Sequence, residues 1–214
     1  MNNQRLFIGI MGLIGTGKTT LSTKLGEFLG CNVYYEPVVD NKLLKLFYDD
    51  MKKYGFVLQV SLLNQRFALQ QKIIWGDNKD VAIQDRTIYE DKIFAKTLLE
   101  MGNMSQIEYD TYIKTFDNMT NFMKNNTILV YLDISPKKSL ERIKLRGREC
   151  ERSITLQYLK NLEKNYREFV DSISKTIPVI CVPWEDFKST DEVAQKIKEE
   201  YNKLKIIKTI NFEK

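Results

Sequence analysis

The chain has 214 residues, 43% hydrophobic and 29% charged, with a formal net charge of +5. That is the size and composition of one globular domain with a substantial core, here taken as 1–214. There is no histidine, which excludes a Ser-His-Asp triad, a His-activated cysteine and a His-ligated zinc, and leaves carboxylate, Lys, Tyr or Cys as general base. The three cysteines, Cys31, Cys150 and Cys181, are far apart with no CxxC pair. A disulfide framework is therefore not expected, and a reducing, cytoplasmic location is. The modest charge permits anionic ligands without arguing for nucleic acid. The longest nearly apolar run, 6–15, is too short for a bilayer and lacks signal-peptide flanks, so no membrane association is expected.

Apolar, β-branched runs alternate with helical patterns along the chain. Strand Leu6–Met11 leads to a helix over 18–29, closed by Gly30. Strand Asn32–Tyr35 precedes helices over 40–53 and 57–75. Strand Val81–Gln84 precedes helices over 89–101 and 106–124, the second opened by the capping-box pair Ser105 and Glu108. Strand Thr127–Asp133 precedes a helix over 136–146, where Ser135-Pro136 is an N-cap followed by proline at the first helical position. A helix over 155–174, strand Ile177–Val182 and a helix over 190–204 complete the set. Several strands are apolar throughout, as in parallel sheets covered on both faces. The alternation predicts a doubly wound α/β fold, a five-stranded parallel sheet flanked by helices, with ligands at the carboxyl ends of the strands.

Gly12-Leu13-Ile14-Gly15-Thr16-Gly17-Lys18-Thr19 matches GxxxxGK[ST] between a strand and a helix. Glycines let backbone N–H groups curl around phosphate oxygens, and the helix N-terminus adds its positive end. The expected fold is thus that of P-loop NTPases, with Gly12, Gly15, Thr16, Gly17, Lys18, Thr19 and Thr20 binding ATP. Lys18 would reach the β- and γ-phosphates, and the Thr19 hydroxyl would ligate Mg²⁺. Glu36 stands at the end of the second strand, where Pro37 blocks further ladder pairing. Asp85 and Arg86 leave the third strand at the same edge. A carboxylate and a guanidinium beside a triphosphate can hold metal and clamp phosphates. Arg142 and Arg146 are four residues apart on one helical face, and Gly147 then lets Arg148 follow. The three guanidiniums are expected to converge on one transferring phosphoryl group as a mobile lid over about 142–155.

With these pieces in place the chain resembles the P-loop deoxyribonucleoside kinases, the family of deoxycytidine, deoxyguanosine and bacterial deoxyadenosine kinases. The blocks occur in order from Gly12 to about Phe187: the P-loop, Glu36-Pro37-Val38, Gln59 with Arg66, Asp85-Arg86-Thr87, the lid from Arg142 to Glu151, Tyr158-Leu159 and Glu185-Asp186-Phe187. The resemblance implies transfer of the ATP γ-phosphoryl to the 5′-hydroxyl of a deoxynucleoside. Glu36 would accept the hydroxyl proton, and Arg86 would orient Glu36 and the phosphate. Asp85 would sit near Mg²⁺, with Tyr48 and Glu151 on the sugar 3′-hydroxyl. Gln59, Arg66 and Asp91 would line the base pocket, with Val38, Leu44 and Leu58 setting its size. Glu185, Asp186 and Phe187 would pack on the ATP base. A homodimer is implied as well.

Three departures qualify the resemblance. Cys150 stands where some relatives carry a second lid glutamate. Asp85 replaces the Glu of some animal enzymes. The Asp91–Phe94 stretch is a residue shorter than in animal members and resembles the bacterial purine enzymes, which favours deoxyadenosine, then deoxyguanosine. An amide, an arginine and an aspartate can each meet adenine, guanine or cytosine, so deoxycytidine or broad specificity stays open. A nucleoside monophosphate kinase such as thymidylate kinase shares the P-loop, Glu-Pro and Asp-Arg features. It would need further cations for its acceptor phosphate, whereas Tyr48, Gln59 and Arg66 suit an uncharged nucleoside. A non-catalytic nucleotide-binding module would not need carboxylates at 36 and 85.

Overall fold

The most apolar segments of the chain form five parallel strands, in the order β2-β3-β1-β4-β5. They are β1 (Leu6–Gly12), β2 (Asn32–Tyr34), β3 (Val81–Asp85), β4 (Ile128–Asp133) and β5 (Val179–Pro183) in a computed structural model that describes residues 6–36, 42–76, 80–121, 123 and 125–207. Every residue of β1 is buried, as a central strand covered on both faces requires. Around the sheet lie α1 (Lys18–Leu29), α2 (Lys42–Asp49), α3 (Met51–Gly76), α4 (Asp91–Glu100), α5 (Gln106–Thr120), α6 (Pro136–Arg146), α7 (Leu156–Ile173) and α8 (Thr190–Ile207). The doubly wound sheet predicted from the alternation is the one that forms. The strand order reverses direction at β1, so the loop after β1 lies at the topological switch point.

Local signals account for the boundaries. Ser135 Oγ accepts from Lys138 N at 3.3 Å to cap α6, and Gly147 ends it in the left-handed region at φ 68°. Ser105 and Glu108 form the reciprocal capping box at the start of α5. The helix break expected at 54–56 occurs instead at Asp50, whose Oδ1 accepts from Lys53 N at 3.0 Å and caps α3. Gly55 therefore lies inside α3, where a Cβ would meet Asn103 O at 3.1 Å and Leu98 Cδ1 at 3.3 Å. Strand β5 starts two residues later than expected, because Pro178 accepts from Leu129 N but has no N–H for the ladder. α5 ends at Thr120 rather than 124. Pro37, Val38, Ile210 and Phe212 lie outside the described residues. No helix among the described residues is long and apolar enough to cross a membrane.

Gly26 of α1 gives a direct test of the packing between this helix and β2. An added Cβ would fall inside contact distance of Val33 Cγ2. Helix propensity alone favours Gly→Ala by about 0.5–1 kcal/mol. Overpacking reverses the sign, so Gly26→Ala is expected to lower stability by about 1–3 kcal/mol in urea unfolding. A stabilised variant would show that α1 shifts freely over β2.

Candidate active site

The loop after β1 turns twice through the left-handed region, at Gly15 (φ 77°) and Gly17 (φ 88°). Glycine adopts this conformation without the Cβ penalty. A Cβ at Gly15 would also meet Ile143 Cγ1 at 2.7 Å, and one at Gly17 would meet Phe187 Cε1 at 3.0 Å. α1 begins behind Gly17 with no side-chain cap, which leaves its first-turn amides for an anion. The loop is held from outside: Ser139 Oγ donates to Ile14 O at 2.6 Å and Trp184 Nε1 to Thr16 O at 2.8 Å. Lys18 Nζ folds back onto Gly12 O at 2.8 Å and Leu13 O at 2.7 Å. Burial, then the Arg86 charge, pushes its ammonium down to about 7. Thr20 is exposed on α1.

Strands β2 and β3 deliver the charged groups to this edge. Arg86 follows β3 at φ 69°, an unusual backbone for a non-glycine residue. Its Nε lies 3.1 Å from Glu36 Oε2. Arg66 of α3 reaches the other Glu36 oxygen, its Nε donating at 2.9 Å, and also pairs with Asp91. Burial pushes the Glu36 carboxyl up, but Arg66 and then Arg86 outweigh it and hold the group below its ordinary value. Thr19 Oγ1 donates to Asp85 Oδ2 at 2.5 Å, and burial raises the Asp85 carboxyl. A hydroxyl and a carboxylate side by side are hard oxygen donors that fit Mg²⁺, which takes its other ligands from phosphate and water. Among the described residues there is no cluster of three or more Cys, Asp and Glu of the kind an all-protein metal cage needs.

Sequence reading missed Glu90. Its side chain is fully buried and ties three parts of the site together. Oε1 accepts from Gly12 N at 3.2 Å, Arg86 Nη1 at 3.3 Å and Tyr166 Oη at 2.6 Å. Oε2 accepts from Thr87 N at 2.8 Å, closing a capping box. The Thr-x-x-Glu spacing of Thr87 and Glu90 was the available signal. Tyr166→Phe deletes the bond to Glu90 and a 3.1 Å bond from Arg86 Nη1. It is expected to cost about 1–3 kcal/mol, read as a lower denaturant midpoint, and an unchanged midpoint would detach Tyr166 from the network.

Gln59 and Arg66 lie seven residues apart on α3, both buried, and Arg66 pairs with Asp91 at the start of α4. Tyr48 of α2 and Glu151 are also brought together. Burial pushes the Tyr48 phenol up, with Tyr158 and Glu151 adding to it. Ser153 Oγ donates to Tyr48 O at 3.0 Å, stitching α2 to the segment after α6. Leu58 is buried in α3 and Leu44 half-buried in α2.

The three guanidiniums expected to form a lid do not converge in this structure. Arg142 donates to Thr16 O at 3.2 Å, Trp184 O at 3.0 Å and Glu185 O at 2.9 Å, and stacks over the Phe187 ring at 4.0 Å. Arg146 and Arg148 pair instead with Glu151, at 2.5 and 3.5 Å. Backbone carbonyls and a buried carboxylate satisfy them. The Glu185 carboxylate accepts from Ser135 N and Oγ, so it anchors its loop at the start of α6. Phe187 covers Gly17, and Asp186 is exposed near Arg142.

A family model for deoxynucleoside kinase matches residues 8–206. The deoxyadenosine kinase of Dictyostelium discoideum is 51% identical over 204 residues, which is 95% of this chain and 82% of that protein. The deoxyguanosine kinase of the same organism is 36% identical over 203 residues, 92% of this chain and 70% of that protein. The solved structure of deoxyadenosine kinase from M. mycoides with bound dATP is similar at a TM-score of 0.79 and 32% identity, covering 92% of this chain and 100% of that one. Fold, site edge and sequence thus agree over nearly the whole length: the chain belongs to the deoxynucleoside kinase family and phosphorylates deoxynucleosides on a P-loop NTPase fold.

Proposed function

We propose that the chain transfers the γ-phosphoryl of ATP to the 5′-hydroxyl of deoxyadenosine in preference to other deoxynucleosides. The ATP phosphates lie on the amides of 12–19 and the positive end of α1, with Lys18 leaving its carbonyl partners for phosphate oxygen. Thr19 and Asp85 would hold Mg²⁺, which when bound neutralises phosphate charge. The observation that carries the reading is the Glu36 carboxylate held by Arg86 beside the P-loop, at 3.1 Å. Glu36 keeps the 5′-hydroxyl in line and takes its proton, and Arg86 orients Glu36. Tyr48 and Glu151 bind the sugar 3′-hydroxyl, and Gln59, Arg66 and Asp91 bind the base. Phe187 and its neighbours Glu185 and Asp186 flank the ATP base. On lid closure Arg142, Arg146 and Arg148 exchange their present partners for phosphoryl oxygens.

The adenine preference is supported by the Asp91–Phe94 stretch and by the identity to a deoxyadenosine kinase. A homodimer is supported by the family resemblance and by Ile107, left exposed on α5. A cytoplasmic location is supported by the three widely spaced cysteines, which include no CxxC pair. The test is kcat/KM with Mg·ATP for deoxyadenosine, deoxyguanosine, deoxycytidine and thymidine. Deoxyadenosine is expected to lead, and Gln59→Ala to lower its kcat/KM by about 10-fold or more with the ATP KM unchanged. A lead for deoxycytidine would keep the mechanism and overturn the base assignment.

A further inference from the structure

The Arg66 guanidinium is divided between two carboxylates. Its Nε and Nη2 edge meets Glu36 Oε1, with Nε at 2.9 Å, while Nη1 pairs with Asp91 Oδ1. The second Glu36 oxygen faces Arg86 Nε at 3.1 Å. Both oxygens of the group read above as proton acceptor are therefore held by guanidinium N–H groups. Two adjacent cations favour the charged form of a carboxylate and make it a weak base.

Arg66 also belongs to the base pocket. It lies two turns beyond Gln59, whose Oε1 is buried without a hydrogen-bond partner among the described residues. A guanidinium offers its five N–H groups in a rigid planar fork. A base edge that takes a paired contact from Arg66 must displace one of its carboxylates. The Asp91 side chain is fully buried and that of Glu36 is 14% exposed. Stripping the buried Asp91 of its cation costs more, so Glu36 is the partner that yields.

We infer that Arg66 is a latch on Glu36: paired with it, Arg66 holds the carboxylate as a poor proton acceptor, and occupation of the base pocket draws it away. Glu36 is then held by Arg86 alone and takes a proton from whatever lies in line with the γ-phosphoryl. The inference rests on the reading of Glu36 as proton acceptor and Arg66 as base contact. Its consequence is that ATP is not consumed by water while the pocket is empty. With the latch open and no acceptor hydroxyl present, water oxygen bonds to the γ-phosphorus. The bond from that phosphorus to the β–γ bridging oxygen breaks, ADP leaves, and the water proton passes to Glu36. Arg66 acts here as a positioning residue, through Glu36.

The experiment measures ADP and inorganic phosphate release from Mg·ATP without any phosphorylatable nucleoside. Wild type alone is expected to be slow. Saturating 2′,5′-dideoxyadenosine, which fills the base and sugar pockets but lacks the 5′-hydroxyl, should raise release about tenfold or more. Its saturation is established by inhibition of deoxyadenosine phosphorylation. Arg66→Gln should show the same rise with no nucleoside present, and adding Glu36→Gln to it should remove the rise. A merely damaged fold does not gain activity, and the wild-type arm stands even if Arg66→Gln does not fold. Flat release in either arm overturns the latch: without stimulation the base does not move Arg66, and without a rise in the folded variant Arg66 does not restrain Glu36. Normal deoxyadenosine phosphorylation with flat release sinks the latch alone. Full turnover in Glu36→Gln would remove the underlying reading of the site as well.

Discussion

Glu36→Gln is expected to bind deoxyadenosine at close to wild-type affinity and to turn it over about 10²- to 10⁴-fold more slowly, the usual cost of losing a positioned base. The amide keeps the size of the side chain, and its one oxygen can still accept from one of Arg66 and Arg86, which flank the two carboxylate oxygens, while its NH₂ faces the other. What it lacks is the capacity to take the hydroxyl proton, so the loss falls on kcat and leaves nucleoside KM nearly in place. Rapid-quench turnover together with equilibrium nucleoside binding separates the two quantities. Unchanged turnover would take Glu36 out of the chemistry and leave it a structural counter-ion.

The second large effect concerns Arg86. Its guanidinium serves Glu36, Glu90 and the Tyr166 hydroxyl, and lies 5.0 Å over the Phe94 ring. Arg86→Met leaves the fully buried Glu90 without its cation, which is expected to cost about 3–5 kcal/mol of stability. Turnover should fall by about 10²-fold or more as Glu36 loses its orienting partner. The backbone at φ 69° is as unusual for Met as for Arg, so strain is not the variable. Adding Glu90→Gln removes the stranded charge, and the double variant should recover more than about 1 kcal/mol in urea unfolding. Strictly additive losses would show that Arg86 and Glu90 are not energetically paired.

How much of this was legible in the sequence follows from how local each signal is. β1, α1 and α6 were placed closely because glycines at 12, 15, 17, 30 and 147 and the Ser135-Pro136 cap act within one turn. The ends of β2 and β3 placed Glu36, Asp85 and Arg86 at one edge for the same reason, since in a parallel sheet strand ends share an edge. The break at Asp50 was missed because the capping aspartate lay inside the helical pattern read over 40–53. Glu90 was invisible as a site residue because its partners Gly12 and Tyr166 are 78 and 76 residues away. The same distance problem hid the Arg66 link to Glu36, 30 residues apart. The spacing of Arg142, Arg146 and Arg148 was readable, but carbonyl acceptors such as Trp184 O carry no residue signature.

The central claim is that the acceptor is the 5′-hydroxyl of an uncharged deoxynucleoside activated at Glu36. Phosphorus NMR of a reaction holding Mg·ATP with deoxyadenosine, and of a parallel one with dAMP, tests it most directly. The account predicts dAMP and ADP formed in equal amounts in the first tube and no dADP in the second. Formation of dADP from dAMP, with deoxyadenosine left unchanged, would contradict the assignment of Tyr48, Gln59, Arg66 and Glu36 to a nucleoside.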